Sequence, residues 1–356
     1  MTSIKDVAAS VGVSTATVSR ALRGLPRVSD ETRVRVLKAA AELDYVASPS
    51  AAGLATGQTR AVGVIVPFVT RWFFGSVIQG AEELLREAGY DLLLYNLGGD
   101  QAARDRVFRG HLLRKRVDAV LVLSLTPTDD EVASLARLDR PVAAVGATVD
   151  GWASVRIDDV AAARIAMGHL IGLGHRRIGY VGGSLEDQLD FAAPLDRLTG
   201  YRDAMAEAAL PIDPCWEVVG DFTVRGGLAA TRLLLEADPR PTAVFAASDE
   251  MAVGAVHAVR EAGLRVPEDV SVIGIDDHEM AEFFELTTVA QPVHEQGQLA
   301  ATLLLEALDE GLDGAAHPRA ITVPTRLVVR RTTAPPRSAE APGVPETEPQ
   351  ASTIQA

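Results

Sequence analysis

The chain of 356 residues has one cysteine, Cys215, which excludes a disulfide framework and a thiolate metal site. Its seven histidines are scattered without ligand spacing, so no metal and no cofactor is expected. No stretch approaches the roughly 18 uninterrupted apolar residues that a membrane span needs. The opening "MTSIKDVAAS" lacks the apolar core of a signal peptide. The expectation is a cytoplasmic protein with no membrane partner. Lysine is nearly absent beside arginine, a bias of the kind that a GC-rich genome produces.

What is present is unevenly charged. The formal net charge is −14 at pH 7, yet residues 1–60 carry eight Lys and Arg against five Asp and Glu, a balance of +3 that leaves −17 for the rest. Attraction to phosphates is therefore confined to a small basic head on an acidic body. With 47% apolar residues, the chain is long enough for two or three packed units.

The head reads as three short helices. Val7, Ala8 and Val11 make one apolar stripe, and Gly12 and Val13 turn the chain. Ser14 caps a second helix, in which Val18 and Leu22 point inward. Ser29, Asp30 and Glu31 start a third helix whose expected buried stripe is Val34, Leu37 and Ala41. Two helices joined by a Gly-containing turn make a helix-turn-helix. Thr15, Ala16, Thr17, Ser19 and Arg20 then face outward. The first residues of such a helix approach base edges, and the guanidinium at the end of the exposed face can pair bidentately with guanine, which discriminates by about 1–3 kcal/mol. Ser14, Thr17 and Ser19, with Ser3 and Ser29 at the starts of the outer helices, are the expected phosphate contacts. An ordinary three-helix bundle with a hydroxyl-rich surface accounts for the same spacing.

"IKDVAASVGVSTATVSRAL" followed by "VSDETRVRVLKAAAELDYVASPSAAGLATG" resembles the head and hinge of the LacI/GalR family of bacterial transcription regulators, and the likeness continues to about Arg331. The resemblance implies that Thr15, Ala16 and Arg20 read bases. It also implies that "PSAAGLA", residues 49–55, is a hinge helix placing Ala51 and Leu54 in the minor groove, with Leu54 as the wedge between base pairs. Seven residues do not hold a helix alone in water, and Gly53 costs about 1 kcal/mol relative to alanine, so the hinge is expected to order on DNA. Many relatives have a long polar or basic side chain where this chain has Gly53.

From Ala61, ten apolar runs alternate with helical stretches in two series: "AVGVIV", "DLLLYN", "DAVLVL", "PVAAVG" and "SVRID", then "RIGYVG", "WEVVG", "AVFAAS", "SVIGID" and "TTVAQ". Continuous β-branched runs bounded by Gly and Pro predict parallel sheets covered by helices. The fold class is thus an all-α head plus an α/β two-lobed body like the periplasmic binding proteins, with ligand groups at strand ends facing a cleft. The expected boundaries are head 1–47, hinge and linker 48–60, lobe one 61–159 with 292–318, lobe two 160–291 with 319–331, and a disordered Pro-rich and acidic tail at 332–356.

Candidate effector contacts follow the strand ends: Phe73, Phe74, Arg197, Thr199, Phe222 and Asp276, all on the family's effector-contacting positions. Core packing accounts equally well for the aromatics, and a surface ion pair for Arg197. Ser248 stands in "SDEMAVG" where sugar-binding relatives often have "NDxxAxG". The loop at 183–196, with Asp190 and Phe191, is long enough to reshape a pocket mouth.

The expected function is a DNA-binding regulator, a repressor, controlled by a sugar-like or nucleoside-like effector. Its partners are a palindromic double-stranded operator and a second copy of the chain, since one recognition helix reads a half-site. No leucine heptads that would pair dimers into tetramers are present. An enzyme is not expected. The acid pairs Asp158-Asp159 and Asp276-Asp277 have no phosphate loop or metal cluster beside them, and Ser184 has no histidine motif. A transport solute-binding protein explains the body but not the head.

Overall fold

The computed structural model describes residues 2–45, 58–109, 112–184, 192–310 and 319–337. The expected hinge with Ala51 and Leu54 lies outside them, as do Asp190 and Phe191.

The head consists of α1 (Ile4–Val11), α2 (Thr15–Leu22) and α3 (Asp30–Glu42). A capping box opens α1, in which the Ser3 N–H donates to Asp6 Oδ2 at 2.8 Å, and Gly12, at φ 73°, ends it in the left-handed region. Val7, Ala8, Val11, Val18, Ala21, Val36, Ala39 and Ala40 form its core. The expected stripe of α3 is on the wrong face: Val34 is 64% exposed and Leu37 48%, while Val36, Ala39 and Ala40 point inward. The sequence holds two stripes at helical spacing. Neighbouring carbonyls select between them, because Arg33 Nη1 donates to Ala21 O at 3.0 Å and Arg35 Nη2 to Val11 O at 2.8 Å. The small face then meets α1 and α2.

Lobe one is built on β1 (Ala61–Val66), β2 (Asp91–Asn96), β3 (Ala119–Leu123), β4 (Val142–Val145), β5 (Ala153–Arg156) and β11 (Ala320–Thr322), in the order β11-β5-β4-β3-β1-β2. The pairs from β2 to β5 are parallel. Every residue of β1 and β3 is buried, as continuous apolar runs require of central strands. Helices α4 (Trp72–Glu87), α5 (Gln101–Phe108), α6 (Asp129–Ala136) and α11 (Val293–Glu310) complete the lobe. Gly80 and Gly297 let α4 and α11 approach closely, since a Cβ at either would strike the facing His294 or Val77 carbonyl.

Lobe two repeats the plan with β6 (Ile178–Gly182), β7 (Glu217–Val219), β8 (Ala243–Ala246), β9 (Ser271–Asp276), β10 (Thr287–Ala290) and β12 (Arg326–Val328), ordered β12-β10-β9-β8-β6-β7. Its helices are α7 (Asp159–Gly172), α8 (Ala192–Glu207), α9 (Val224–Glu236) and α10 (Asp249–Glu261). The edge strand β12 runs antiparallel to β10, and the other pairs are parallel.

The chain passes between lobes after Arg156, Pro292 and Ile321, so residues 319–321 belong to lobe one and not, as expected, to lobe two. The ordered chain also runs past the expected start of the tail at residue 332. Thr332 is buried, accepting from the Thr287 N–H at 2.9 Å and donating to Val272 O at 2.7 Å. Ala334 bonds Ser271 Oγ through its N–H at 3.0 Å. Lobe two thus extends to Arg337, where polar residues without apolar periodicity pair with buried backbone.

Candidate functional site

In the head, Ser14 is an N-cap whose hydroxyl accepts from the Thr17 N–H at 3.1 Å and lies 2.9 Å from Thr17 Oγ1. Ser29 does the same for Thr32, at 3.3 Å to its N–H. These hydroxyls, and that of Ser3, which bonds Asp6 at 2.8 Å, fix helix starts. Ser19 and Thr17 are half-buried on α2. Thr15, Ala16 and Arg20 are exposed together, and Arg20 has no ion pair among the described residues. The head therefore presents small side chains, one guanidinium and the N-terminal amides of α2 on one face, a combination suited to an anionic groove.

Within lobe two, strand ends and two helix starts converge on Arg197. It is 5% exposed, and its Nε donates to Asp159 Oδ1 at 2.7 Å. Its Nη1 donates to Ala247 O and lies 3.9 Å from Asp276 Oδ1. The guanidinium stands 5.9 Å from the centre of the Phe222 ring, within cation–π range. Gly183 leaves room for that ring, since a Cβ there would strike it. Asp276 also accepts from Gln291 Nε2 at 2.6 Å. Burial raises the Asp276 carboxyl to about 6 against the opposing pull of Arg197. Behind it Asp249, wholly buried, is pushed well above the usual carboxylate range, first by burial and then by the charge of Asp276. Thr288 Oγ1, at 2.7 Å, and the His278 N–H, at 2.9 Å, both donate to Asp249.

The backbone at this place is unusual. Asp221 and Phe222 after β7, and Asp276 and Asp277 at the end of β9, have φ of 54°, 51°, 131° and 57°. Left-handed conformations at non-glycine residues cost of order 1–3 kcal/mol each and gather at ligand clamps. Arg330 holds the second bend, its Nη2 donating to Asp277 Oδ1 at 2.7 Å.

Of the residues expected from sequence, the structure brings Arg197, Phe222 and Asp276 together. Ser248 is buried and caps α10, accepting from the Met251 N–H at 3.3 Å. Thr199 is half-buried, and its hydroxyl donates to Leu195 O at 2.8 Å. In lobe one, Phe74 is a core ring and Phe73 is half-buried edge-on to it, with centres 5.4 Å apart and planes at 83°. Sequence reasoning missed Asp159, Gln291 and Asp249 as members of the cluster. In the sequence Asp159 reads only as half of an acid pair, whereas in the fold it partners the Arg197 guanidinium. No group of three or more His, Cys, Asp or Glu that could hold a metal occurs among the described residues. No helix among them is long and apolar enough to cross a membrane.

Comparison with known proteins finds the description "Bacterial regulatory proteins, lacI family" over residues 3–48 and "Periplasmic binding protein-like domain" over residues 167–333. The chain is 34% identical over 335 residues to catabolite control protein A of Priestia megaterium, covering 93% of this chain and 98% of that one. It is 38% identical over 309 residues to the transcriptional repressor CytR of Escherichia coli K12, covering 86% and 89%. Among solved structures, the lac repressor dimer bound to operator and the anti-inducer ONPF matches with a TM-score of 0.80 at 28% identity, covering 94% of this chain and 99% of that one. A complex of the regulator CelR with cellobiose matches with a TM-score of 0.68 at 34% identity, covering 93% and 100%.

Proposed function

The chain belongs to the lacI family of bacterial regulatory proteins, and from that membership we infer a sequence-specific transcriptional repressor whose operator affinity is set by a small polyhydroxylated molecule. The observation that carries the effector half is the Arg197 cluster: a buried guanidinium, an aromatic face and a carboxylate at a strained bend. An apolar ring face stacks on Phe222, hydroxyls donate to Asp276, and Arg197 donates to ring or hydroxyl oxygens. One solved relative is described with cellobiose and another, from Enterococcus faecium, with ribose, which supports a sugar or nucleoside as the class. Phe73, Phe74, Thr199 and Ser248 complete the proposed effector set, Phe74 and Ser248 by shaping it from the core.

Thr15, Ala16 and Arg20 read bases. Ser3, Ser14 and Ser29, at the capped helix starts, and Thr17 and Ser19 on α2 lie along phosphates. Ala51 and Leu54 enter the minor groove. A homodimer reads the two halves of a palindrome in the cytoplasm, and the acid pairs do no chemistry. The effector acts by unequal affinity for the two arrangements of the regulator.

The test begins with duplexes selected from a random pool by the purified protein, followed by anisotropy against a shuffled duplex. Arg20→Ala is expected to lower selectivity about 10- to 100-fold, the value of one bidentate guanine contact, at an unchanged melting temperature. Undiminished discrimination would remove Arg20 from the reading helix. A panel of sugars and nucleosides that shifts neither operator affinity nor melting temperature would refute the effector half.

A further inference from the structure

Lobe one carries a basic turn that the function above leaves unexplained. Between α5 and β3 the chain reads Leu113-Arg114-Lys115-Arg116-Val117-Asp118. Leu113 and Val117 are buried against β1, where Gly63 makes room: a Cβ there would lie 3.1 Å from Val117 Cγ1 and 3.2 Å from Leu113 Cδ2. The Arg116 N–H closes the turn on Leu113 O at 3.2 Å, and Lys115 sits at φ 58°. Between the two anchors, three consecutive cations are exposed, and none pairs with a carboxylate among the described residues.

The next residue ties this turn to the place where the chain arrives from the head. Asp118 is 1% exposed and accepts from the Thr59 N–H at 2.9 Å and the Arg60 N–H at 2.7 Å. Its carboxylate is thus occupied by backbone amides at the start of β1. Arg60 is itself exposed, 5.1 Å from the centre of the Tyr90 ring, and adds a fourth cation to this end of the lobe. Residues 46–57, which connect it to the head, span at most about 40 Å even when fully extended. DNA held by the head is therefore within reach, and an acidic body would otherwise repel it.

We propose that Arg114, Lys115 and Arg116 contact the phosphates of DNA flanking the operator, so that lobe one extends the footprint beyond the bases the head reads. This rests on the DNA-binding reading above. The contacts are sequence-independent and act on affinity and its salt dependence, not on base preference.

The experiment uses the full chain and a selected operator in two lengths: about 18 bp, enough for two half-sites about one helical turn apart, and about 40 bp, with flanks on both sides. Wild type is expected to bind the long duplex about tenfold more tightly at low salt, with a log–log salt slope steeper by about 0.9 for each added phosphate contact. The triple substitution Arg114→Ala, Lys115→Ala and Arg116→Ala is expected to lose that gain and leave short-duplex affinity and melting temperature unchanged. Arg114→Lys with Arg116→Lys keeps the charge and is expected to restore it. Equal affinities of wild type and triple variant on both lengths overturn the proposal. So does an equal loss on both, which would assign the turn to holding the linker. Failure of wild type to enrich any sequence defeats the DNA-binding reading itself, and this proposal with it.

Discussion

Asp276 is buried beside a guanidinium, and the two effects on its carboxyl oppose one another. Burial wins, raising it from the ordinary 3.8 to about 6. The folded chain then holds this proton more tightly than the unfolded one, so the side chain favours folding most when protonated. Its contribution falls as pH rises from about 4 through about 6 and levels off above. Asp276→Asn, which keeps an acceptor for Gln291 and Arg197 but carries no charge, is expected to match wild type in melting temperature near pH 4 and exceed it at pH 7. Parallel melting curves across that range would show that Asp276 ionises without strain. The same substitution is expected to weaken the effector, because a hydroxyl loses a charged acceptor. The residue types of this cluster were legible in the sequence as strand-end groups. Their partners were not, because Asp159 is 38 residues from Arg197 and only the crossing of α7 with the start of α8 brings them together.

At the scale of elements, periodicity identified whatever is buried on both faces. The strands β1, β3, β8 and β9 are buried at every residue, and their apolar runs, broken in β9 only by Ser271 and Asp276 at its ends, are what strands covered on both faces require. It failed for three-residue edge strands such as β11 and β12, and for α3, where hydrogen bonds from Arg33 and Arg35 choose between two stripes. The segment at 332–337 shows why composition misleads at a chain's polar end. Its value lies in partners for buried groups: Val272 N–H donates to Thr332 O at 2.7 Å, and His175 Nε2 lies 2.9 Å from Ala334 O. Truncation after Arg331 strands the amides of Val272 and Thr287, at about 1–3 kcal/mol each, and is expected to destabilise lobe two by about 2–6 kcal/mol. Truncation after Arg337 is expected to leave the denaturant midpoint in place. Equal midpoints for the two truncations would return the segment to the status of a tail.

For the whole molecule, a net charge of −14 is compatible with DNA binding because the basic balance is confined to residues 1–60, at +3, where attraction to phosphates is needed. Charge explains attraction, whereas control requires that the effector site in the body and the reading helix in the head bias the same equilibrium. Linkage then makes the coupling reciprocal: the factor by which effector changes operator affinity is the factor by which operator changes effector affinity, of order 5- to 150-fold. The sugar or nucleoside giving the largest thermal shift is expected to show a dissociation constant displaced by that same factor when titrated with and without saturating operator. Arg197→Ala is expected to abolish both displacements while operator binding persists. Phe222→Ala, which leaves Arg197 with its carboxylate partners Asp159 and Asp276, is expected to shrink the effector's thermal shift without lowering the melting temperature of the unliganded chain. A ligand that stabilises the protein yet leaves operator affinity unchanged has equal affinity for both arrangements, and the Arg197 cluster would then be a binding site without authority over the head.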